Sequence, residues 1–278
     1  FDGASDTFTI VERYGTVRRF ARRGTLYRLS ELRDRNENAL SFHYNTEDQL
    51  DIVTDTLGRE VHFAYTPEGR IDFFTDFYDP LAPRKVDFGY DANGDLRTAT
   101  SPAVTGTPNG NDFPLGKTTQ YGYTSGASSA WLNHNLTSVT DPKLQTFLVN
   151  QFDPATDRVI SQRYGTASQS YGFAYATGVT TETDRAQNRT DFAVNANGTA
   201  ASVTQHTNRE VRPGEPDYTT GYTYNLNLEV TRVTRPRGNS VLYTFDATNA
   251  DPLARGDLLE VRQRSHLGEA DIVNSMTY

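Results

Sequence analysis

Apolar and polar residues alternate along this chain in short runs, and the runs recur as a phrase. Two aromatics stand one residue apart, a polar turn follows, and then comes a strand of hydrophobic residues and threonine. The phrase reads Phe42-His43-Tyr44, then Asn45-Thr46-Glu47-Asp48-Gln49-Leu50. It returns as Phe63-Ala64-Tyr65 with Thr66-Pro67-Glu68-Gly69-Arg70-Ile71, and as Phe88-Gly89-Tyr90 with Asp91-Ala92-Asn93-Gly94-Asp95-Leu96. Residues two apart on a strand share a face, so Phe42 and Tyr44 project together. The glycine and Asx residues that follow supply the positive φ that tight hairpin turns need. Leu50-Asp51-Ile52-Val53-Thr54, Ile71-Asp72-Phe73-Phe74-Thr75 and Leu136-Thr137-Ser138-Val139-Thr140 then return as strands with one polar face. A Thr-Asp step closes the unit at Asp55, Asp76, Asp141 and Asp184, where an aspartate can bond the backbone two residues on and set the next turn. Each phrase predicts a β-hairpin, and the series predicts an array of one small unit.

The second aromatic of each phrase marks the array at Tyr44, Tyr65, Tyr90, Tyr123, Tyr175, Tyr224 and Phe245. Their partners are Phe42, Phe63, Phe88, Tyr121, Phe173, Tyr222 and Tyr243. Degenerate copies stand at Phe152-Asp153 and at Phe192-Ala193-Val194, the latter followed by Asn195-Ala196-Asn197-Gly198, and Phe20 and Tyr278 look like partial copies. Marker spacing varies, 21 residues from Tyr44 to Tyr65, then 25 to Tyr90 and 33 to Tyr123. Arg28 to Arg35 could form a helical turn, but Asp34-Arg35-Asn36-Glu37-Asn38 suits a hairpin turn better. Two Pro- and Gly-containing stretches, 101–117 and 211–217, read as insertions between strands because the phrase resumes beyond each. The expectation is one array over 1–278 without a domain boundary.

Composition fits thin sheet walls. Apolar residues make up only 36%, while sixteen tyrosines and fifteen phenylalanines stand against one methionine and one tryptophan. Aromatics pack well on sheet surfaces. A net charge of −8 argues against a nucleic-acid partner, which requires a basic face. The local cluster Arg18, Arg19, Arg22 and Arg23 reads as a solvated hairpin edge, charged to block further pairing. With no cysteine there is no disulfide framework or thiol chemistry. No run of ~18 apolar residues predicts a membrane span, and no signal peptide is visible. The chain opens at Phe1 rather than methionine, which reads as a processed product or a piece of a longer chain.

These phrases resemble the rearrangement-hotspot (RHS) or tyrosine-aspartate (YD) repeat family. The family phrase runs aromatic-X-Tyr-Asp, two residues, Gly-Arg-Leu or Gly-Arg-Ile, then a short strand ending Thr-Asp. Tyr90-Asp91-Ala92-Asn93-Gly94-Asp95-Leu96 and Tyr65-Thr66-Pro67-Glu68-Gly69-Arg70-Ile71 come closest to it. The segment from Gly15-Thr16-Val17 through Phe20, Gly24 and Leu29 to Tyr44 looks like the family's shell entry, and the likeness runs from about Thr7 to the end. Departures are visible: strict Tyr-Asp occurs only at Tyr78-Asp79 and Tyr90-Asp91, and the family's closing motif with its self-cleaving aspartate dyad is missing. The resemblance implies tandem hairpins joined edge to edge into a spiralling sheet, part of the wall of a hollow shell. About ten hairpins give roughly twenty strands, and at ~4.8 Å each the ribbon is on the order of 100 Å wide, one turn of a shell. Implied partners are the remaining shell segments of a parent protein and an enclosed toxin polypeptide, in a secreted bacterial protein, extracellular or on the cell surface.

Candidate chemistry is sparse. Asp91, Asn93 and Asp95 have the oxygen spacing of a calcium loop but lack its glycine and distal glutamate, and a hairpin turn accounts for them. His43, His62, His134, His206 and His266 show no metal-ligand spacing. No nucleophile elbow or phosphate loop occurs. Asp72, Asp76, Asp79 and Asp87 could form a glycosidase pair only through the fold. The expectation is a non-enzymatic chain with no catalytic residue, cofactor or metal. Tyrosine rows can stack sugar rings, yet same-face aromatics also pack on cross-strand neighbours at about 0.2–1 kcal/mol per pair, so the pairs named above are expected to form a structural ladder. Asn135, Asn188 and Asn197 match glycosylation sequons, relevant only in a eukaryotic secretory host. Gly69, Arg70, Gly94 and Gly198 are the expected turn determinants. A surface adhesion or carbohydrate-binding module, and an extracellular protein that self-associates through open strand edges, stay open as alternatives.

Overall fold

The computed structural model describes residues 2–77, 83–165, 169–251 and 255–277. Tyr78, Asp79 and Tyr278 lie outside them. The fold is all-β: the described residues form 22 strands, with a single short 3-10 turn at Ala130–Leu132 as their only helical element.

The chain divides into two units, Phe1–Thr146 and Phe147–Tyr278. In the first, β1 (Thr7–Val11), β2 (Val17–Arg23), β3 (Leu26–Arg33), β4 (Ala39–Tyr44), β5 (Leu50–Asp55), β6 (Glu60–Tyr65), β7 (Ile71–Thr75), β8 (Lys85–Tyr90), β9 (Leu96–Thr100), β10 (Thr118–Tyr123) and β11 (Leu136–Thr140) form a meander. Every neighbouring pair is antiparallel. The second repeats the plan with β12 (Thr146–Phe152), β13 (Val159–Tyr164), β14 (Ser170–Ala176), β15 (Val179–Thr183), β16 (Arg189–Val194), β17 (Ala200–Gln205), β18 (Tyr218–Tyr224), β19 (Val230–Thr234), β20 (Ser240–Phe245), β21 (Leu258–Arg264) and β22 (Ile272–Ser275). Its pairs are antiparallel as well. The stretch 101–117 joins β9 to β10 around a bridge between Val104 and Phe113, and 211–217 lies in the connection from β17 to β18.

One turn design recurs on both rims. Asp34, Asn45, Asp55, Asp91, Asp141, Asp184, Asn195 and Asn225 each accept, on Oδ1, the N–H groups two and four residues further on. An Asx side chain used this way substitutes for a backbone acceptor and fixes the turn. The residue three after each Asx is left-handed, whether glycine (Gly58, Gly94, Gly198) or not (Glu37, Asp48, Leu144, Gln187, Leu228). Asp34-Arg35-Asn36-Glu37-Asn38 is accordingly a turn, and Arg28 to Arg33 belong to β3.

No thick core forms. Val139, Ser240 and Asp257 are the buried residues among those described, and most strand residues are half-exposed on both faces. Stability must come from interactions within the sheet. The arginine cluster differs from its expected place at an edge. β2 lies between β1 and β3, and its charges are met across the sheet: Arg18 by Glu12, Arg19 by Glu31, Arg22 by Asp6 and Arg23 by Asp48.

Gly94 has φ +86, and a Cβ there would collide with the Arg70 guanidinium. Replacing Gly94 by valine should cost roughly 1–3 kcal/mol, read as a lower melting temperature in a thermal scan. An unchanged melting temperature contradicts the assigned turn.

Candidate functional site: the bulge and tyrosine ladder

The first aromatic of each phrase packs across its own hairpin. Phe42 stands opposite Val53, Phe63 opposite Phe74, Phe88 opposite Ala99 and Tyr121 opposite Val139. In the second unit Phe173 faces Glu182, Tyr222 faces Val233 and Tyr243 faces Val261. Ring contacts extend this row where aromatics are adjacent, with Phe63 and Phe74 centroids 5.9 Å apart and Phe74 and Phe88 6.0 Å apart.

The second aromatic does something different. At Phe20, Tyr44, Tyr65, Tyr90, Tyr123, Phe152, Val194, Tyr224 and Phe245 the register shifts, because the partner strand carries one extra residue. Asp51, for example, is skipped between the pairs His43–Ile52 and Tyr44–Leu50, and Asp72 between Ala64–Phe73 and Tyr65–Ile71. A bulge disrupts the ladder locally and leaves the extra residue unpaired. In five cases the carbonyl just before the bulged position, or its positional equivalent, accepts a phenol from the next hairpin.

Tyr44 Oη donates to the Leu29 carbonyl at 2.9 Å, Tyr65 to Leu50 at 2.5 Å and Tyr90 to Ile71 at 2.7 Å. Tyr175 donates to Val159 at 2.7 Å and Tyr224 to Ala200 at 2.9 Å. The placement is uniform. Backbone pairing between successive hairpins ends at Ser41, His62, Asp87, Gly172 and Gly221, each three residues before its tyrosine. The phenol therefore spans the gap where the two strands part. Burial pushes the Tyr44 and Tyr65 phenols above their ordinary pKa. Tyr123 occupies the matching position three residues beyond the last pair, Gln120–Thr98, and burial raises its phenol likewise. Phe245 holds the position without a hydroxyl, and Val194 instead pairs its N–H with Gly178.

An arginine of the preceding hairpin covers several of these rings. Arg23 lies 5.5 Å from the Tyr44 centroid, Arg70 5.7 Å from Tyr90 and Arg158 5.0 Å from Tyr175. Gly69 (φ +81) lets Arg70 leave the turn toward the next tyrosine, beside Gly94. Asp91 is spent on its own turn, while Gly198 turns the degenerate hairpin.

One polar cluster escaped the sequence. His206 sits between Asp191, 2.7 Å from Nε2, and Asp217, 3.0 Å from Nδ1. Asp191 is also bonded by Thr181 and Arg189. Burial raises the Asp191 pKa, but these three donors together outweigh it and hold the carboxyl at about 2. The cluster ties the two ends of the connection from β17 to β18, 206–217, since Asp217 also accepts the Thr207 N–H. Its residues lie far apart in sequence, with only the insertion as a clue. His43 bonds Asp51 and His134 bonds Asp95 at the surface.

No protein-family model and no curated protein matches the chain. Among solved structures it is similar to a crystal structure of TcdB2-TccC3 without its hypervariable C-terminal region. That match has 14% identity and a TM-score of 0.43, over 96% of this chain and 12% of that one. It is also similar to a chain of the Photorhabdus luminescens Tc holotoxin pore, at 9% identity and a TM-score of 0.39, over 97% of this chain and 18% of that one. A porin-like protein from Bacteroides uniformis aligns at 9% identity and a TM-score of 0.20, over 96% and 89%. The chain thus spans less than a fifth of the toxin chains it matches.

Tyr65→Phe should lower stability by about 0.5–1.5 kcal/mol through loss of the bond to Leu50, whereas Tyr121→Phe, at a packing position, should cost less; chemical denaturation of both variants compares them. Asp191, ordinarily near 3.8 and about 2 when folded, contributes stability above pH 4 that is lost as pH falls through 2. Melting curves of the native chain and Asp191→Asn should differ at neutral pH and converge near pH 2. A constant gap down to that pH contradicts the assigned role.

Proposed function

We propose that the chain is a non-enzymatic wall segment of a shell that encloses a toxic or effector polypeptide in a secreted bacterial toxin. The observation that carries this is the surface the chain leaves open. It exposes 18504 Å². A folded protein of its mass, 31.0 kDa, exposes about 12,000 Å², and two separate halves would expose roughly 14,400 Å². Sheet one layer thick accounts for the excess, and its half-exposed faces call for cover by neighbouring shell or by cargo.

The repeated linkage supports the same role. Five hairpins are bonded to the one before by a phenol and a carbonyl, a linkage that joins neighbours without a core. Arg23, Arg70 and Arg158 already lie over the Tyr44, Tyr90 and Tyr175 rings, the faces on which a sugar would stack, which disfavours a carbohydrate-binding module. The family phrase at Tyr90-Asp91 and Gly69-Arg70 gives the toxin context.

Electron microscopy with intact-mass analysis of the native preparation tests it. A hollow particle larger than this chain, with additional polypeptide inside, is the expected result. A monodisperse chain carrying neither further shell nor cargo would overturn the proposal.

A further inference from the structure

His206 is held unlike the other histidines. Among the described residues His43, His62 and His134 each meet a single carboxylate. The His206 ring lies between two, with Nε2 2.7 Å from Asp191 Oδ2 and Nδ1 3.0 Å from Asp217 Oδ2. Both carboxyls are ionised well below neutral pH. Burial raises Asp191, but its donors hold it at about 2, and the Thr207 N–H is the first of the groups that hold Asp217 below its ordinary value. An ionised carboxylate only accepts, so each ring nitrogen must carry a proton. A neutral imidazole has one N–H. Loss of the ring proton therefore sets a nitrogen lone pair against a carboxylate and ends one of the two bonds.

The bond that yields is the one to Asp217. Asp191 stands on β16 opposite Thr204 of β17 and is bonded in addition by Thr181 and Arg189. His206 gives its own N–H to the Arg189 carbonyl, which keeps the ring beside β16. Asp217 belongs to the connection from β17 to β18, and its contact with the ring is the longer of the two.

The remaining charges around the ring are accounted for. Arg189 bonds Asp191, and the exposed Arg209 reaches Asp217 Oδ1 at 3.3 Å. Asp184 is spent on its own turn and lines, with Arg212, the cleft beside the ring. Glu215 accepts the Tyr218 hydroxyl, and Glu210 is exposed. Among the described residues none of these donates to Asp217 Oδ2, the oxygen that the ring holds.

We propose that His206 is a pH-sensitive clasp on the connection 206–217, closed while both ring nitrogens carry protons and opened when one proton leaves. Histidine is the side chain that changes charge between about pH 5 and 8, so the clasp opens as pH rises through that range. The connection forms one wall of a cleft of about 500 Å³ whose other wall includes Arg189, Thr190 and Gln205. Opening lets Val211 and Arg212 move away from that wall. The sheet beneath persists, because Gln205 and Tyr218 stay paired. The clasp does not depend on the shell reading.

Amide hydrogen exchange of the full chain, corrected for the intrinsic effect of pH on exchange, tests it. Within the connection the Thr207 N–H is bonded to Asp217 and the Arg212 N–H to the Asn208 carbonyl. Protection of these amides should fall by about tenfold between about pH 5 and 8, while amides of β20 and β21 keep theirs. In His206→Gln the protection should no longer vary with pH. Asp217→Asn should keep the connection protected across the range, because the carboxamide N–H can donate to the bare ring nitrogen while its oxygen still accepts from Thr207. That variant separates a lost switch from a lost fold. Protection that is equal at both ends of the range, a fall that His206→Gln shares, or an Asp217→Asn chain that loosens as the native one does overturns the proposal.

Discussion

A bulge in an antiparallel pair turns backbone groups out of their own ladder, and an acceptor left without a partner is costly. In this chain the next hairpin supplies the partner as a tyrosine hydroxyl. The bond forms where backbone pairing between hairpins has already stopped, so it closes the gap at the rim that the ladder cannot reach. Three consecutive instances run through the first unit, from Tyr44 to Leu29, Tyr65 to Leu50 and Tyr90 to Ile71. The hairpins of Tyr44 and Tyr65 each both offer a carbonyl and send a phenol. That reciprocity makes the unit extendable, and it explains how sheet with almost no buried core holds its register.

The remaining features of the phrase follow from this bond. The Asx residue after the tyrosine folds the chain back within five residues, which sets the bulge beside the turn. The residue three further on must be left-handed, hence the frequent glycine. At Gly69-Arg70 the arginine after that glycine reaches the next tyrosine ring, Tyr90, and covers it, a cation–aromatic contact on a half-exposed face. The first aromatic packs within its own hairpin, so the two aromatics of one phrase have separate tasks: one holds a hairpin together and the other joins hairpins.

Much of this was legible in the residues. The all-β class, the hairpins and the turn at Asp34 are visible as periodicity and turn chemistry, because those depend on neighbours in sequence. The degenerate markers Phe152 and Val194 also lie at bulges. What a sequence does not display is register: the one-residue offset found at every marker but Tyr175 depends on the opposing strand. The ladder was therefore expected as ring on ring, whereas the tyrosines mainly bond backbone. Arg18, Arg19, Arg22 and Arg23 read as an edge for the same reason, since Glu31 and Asp48 reach them from later strands. Asp191, His206 and Asp217 meet only through the fold of three strands and a loop.

The linkage can be observed at its acceptor. Isotope-edited infrared spectroscopy of a chain with ¹³C at the isoleucine backbone carbonyls reports Ile71 among few others. Comparing the native chain with Tyr90→Phe, the account predicts that one carbonyl band moves to higher frequency as the Ile71 oxygen loses the phenol. Identical isoleucine carbonyl bands in a folded Tyr90→Phe chain would contradict it.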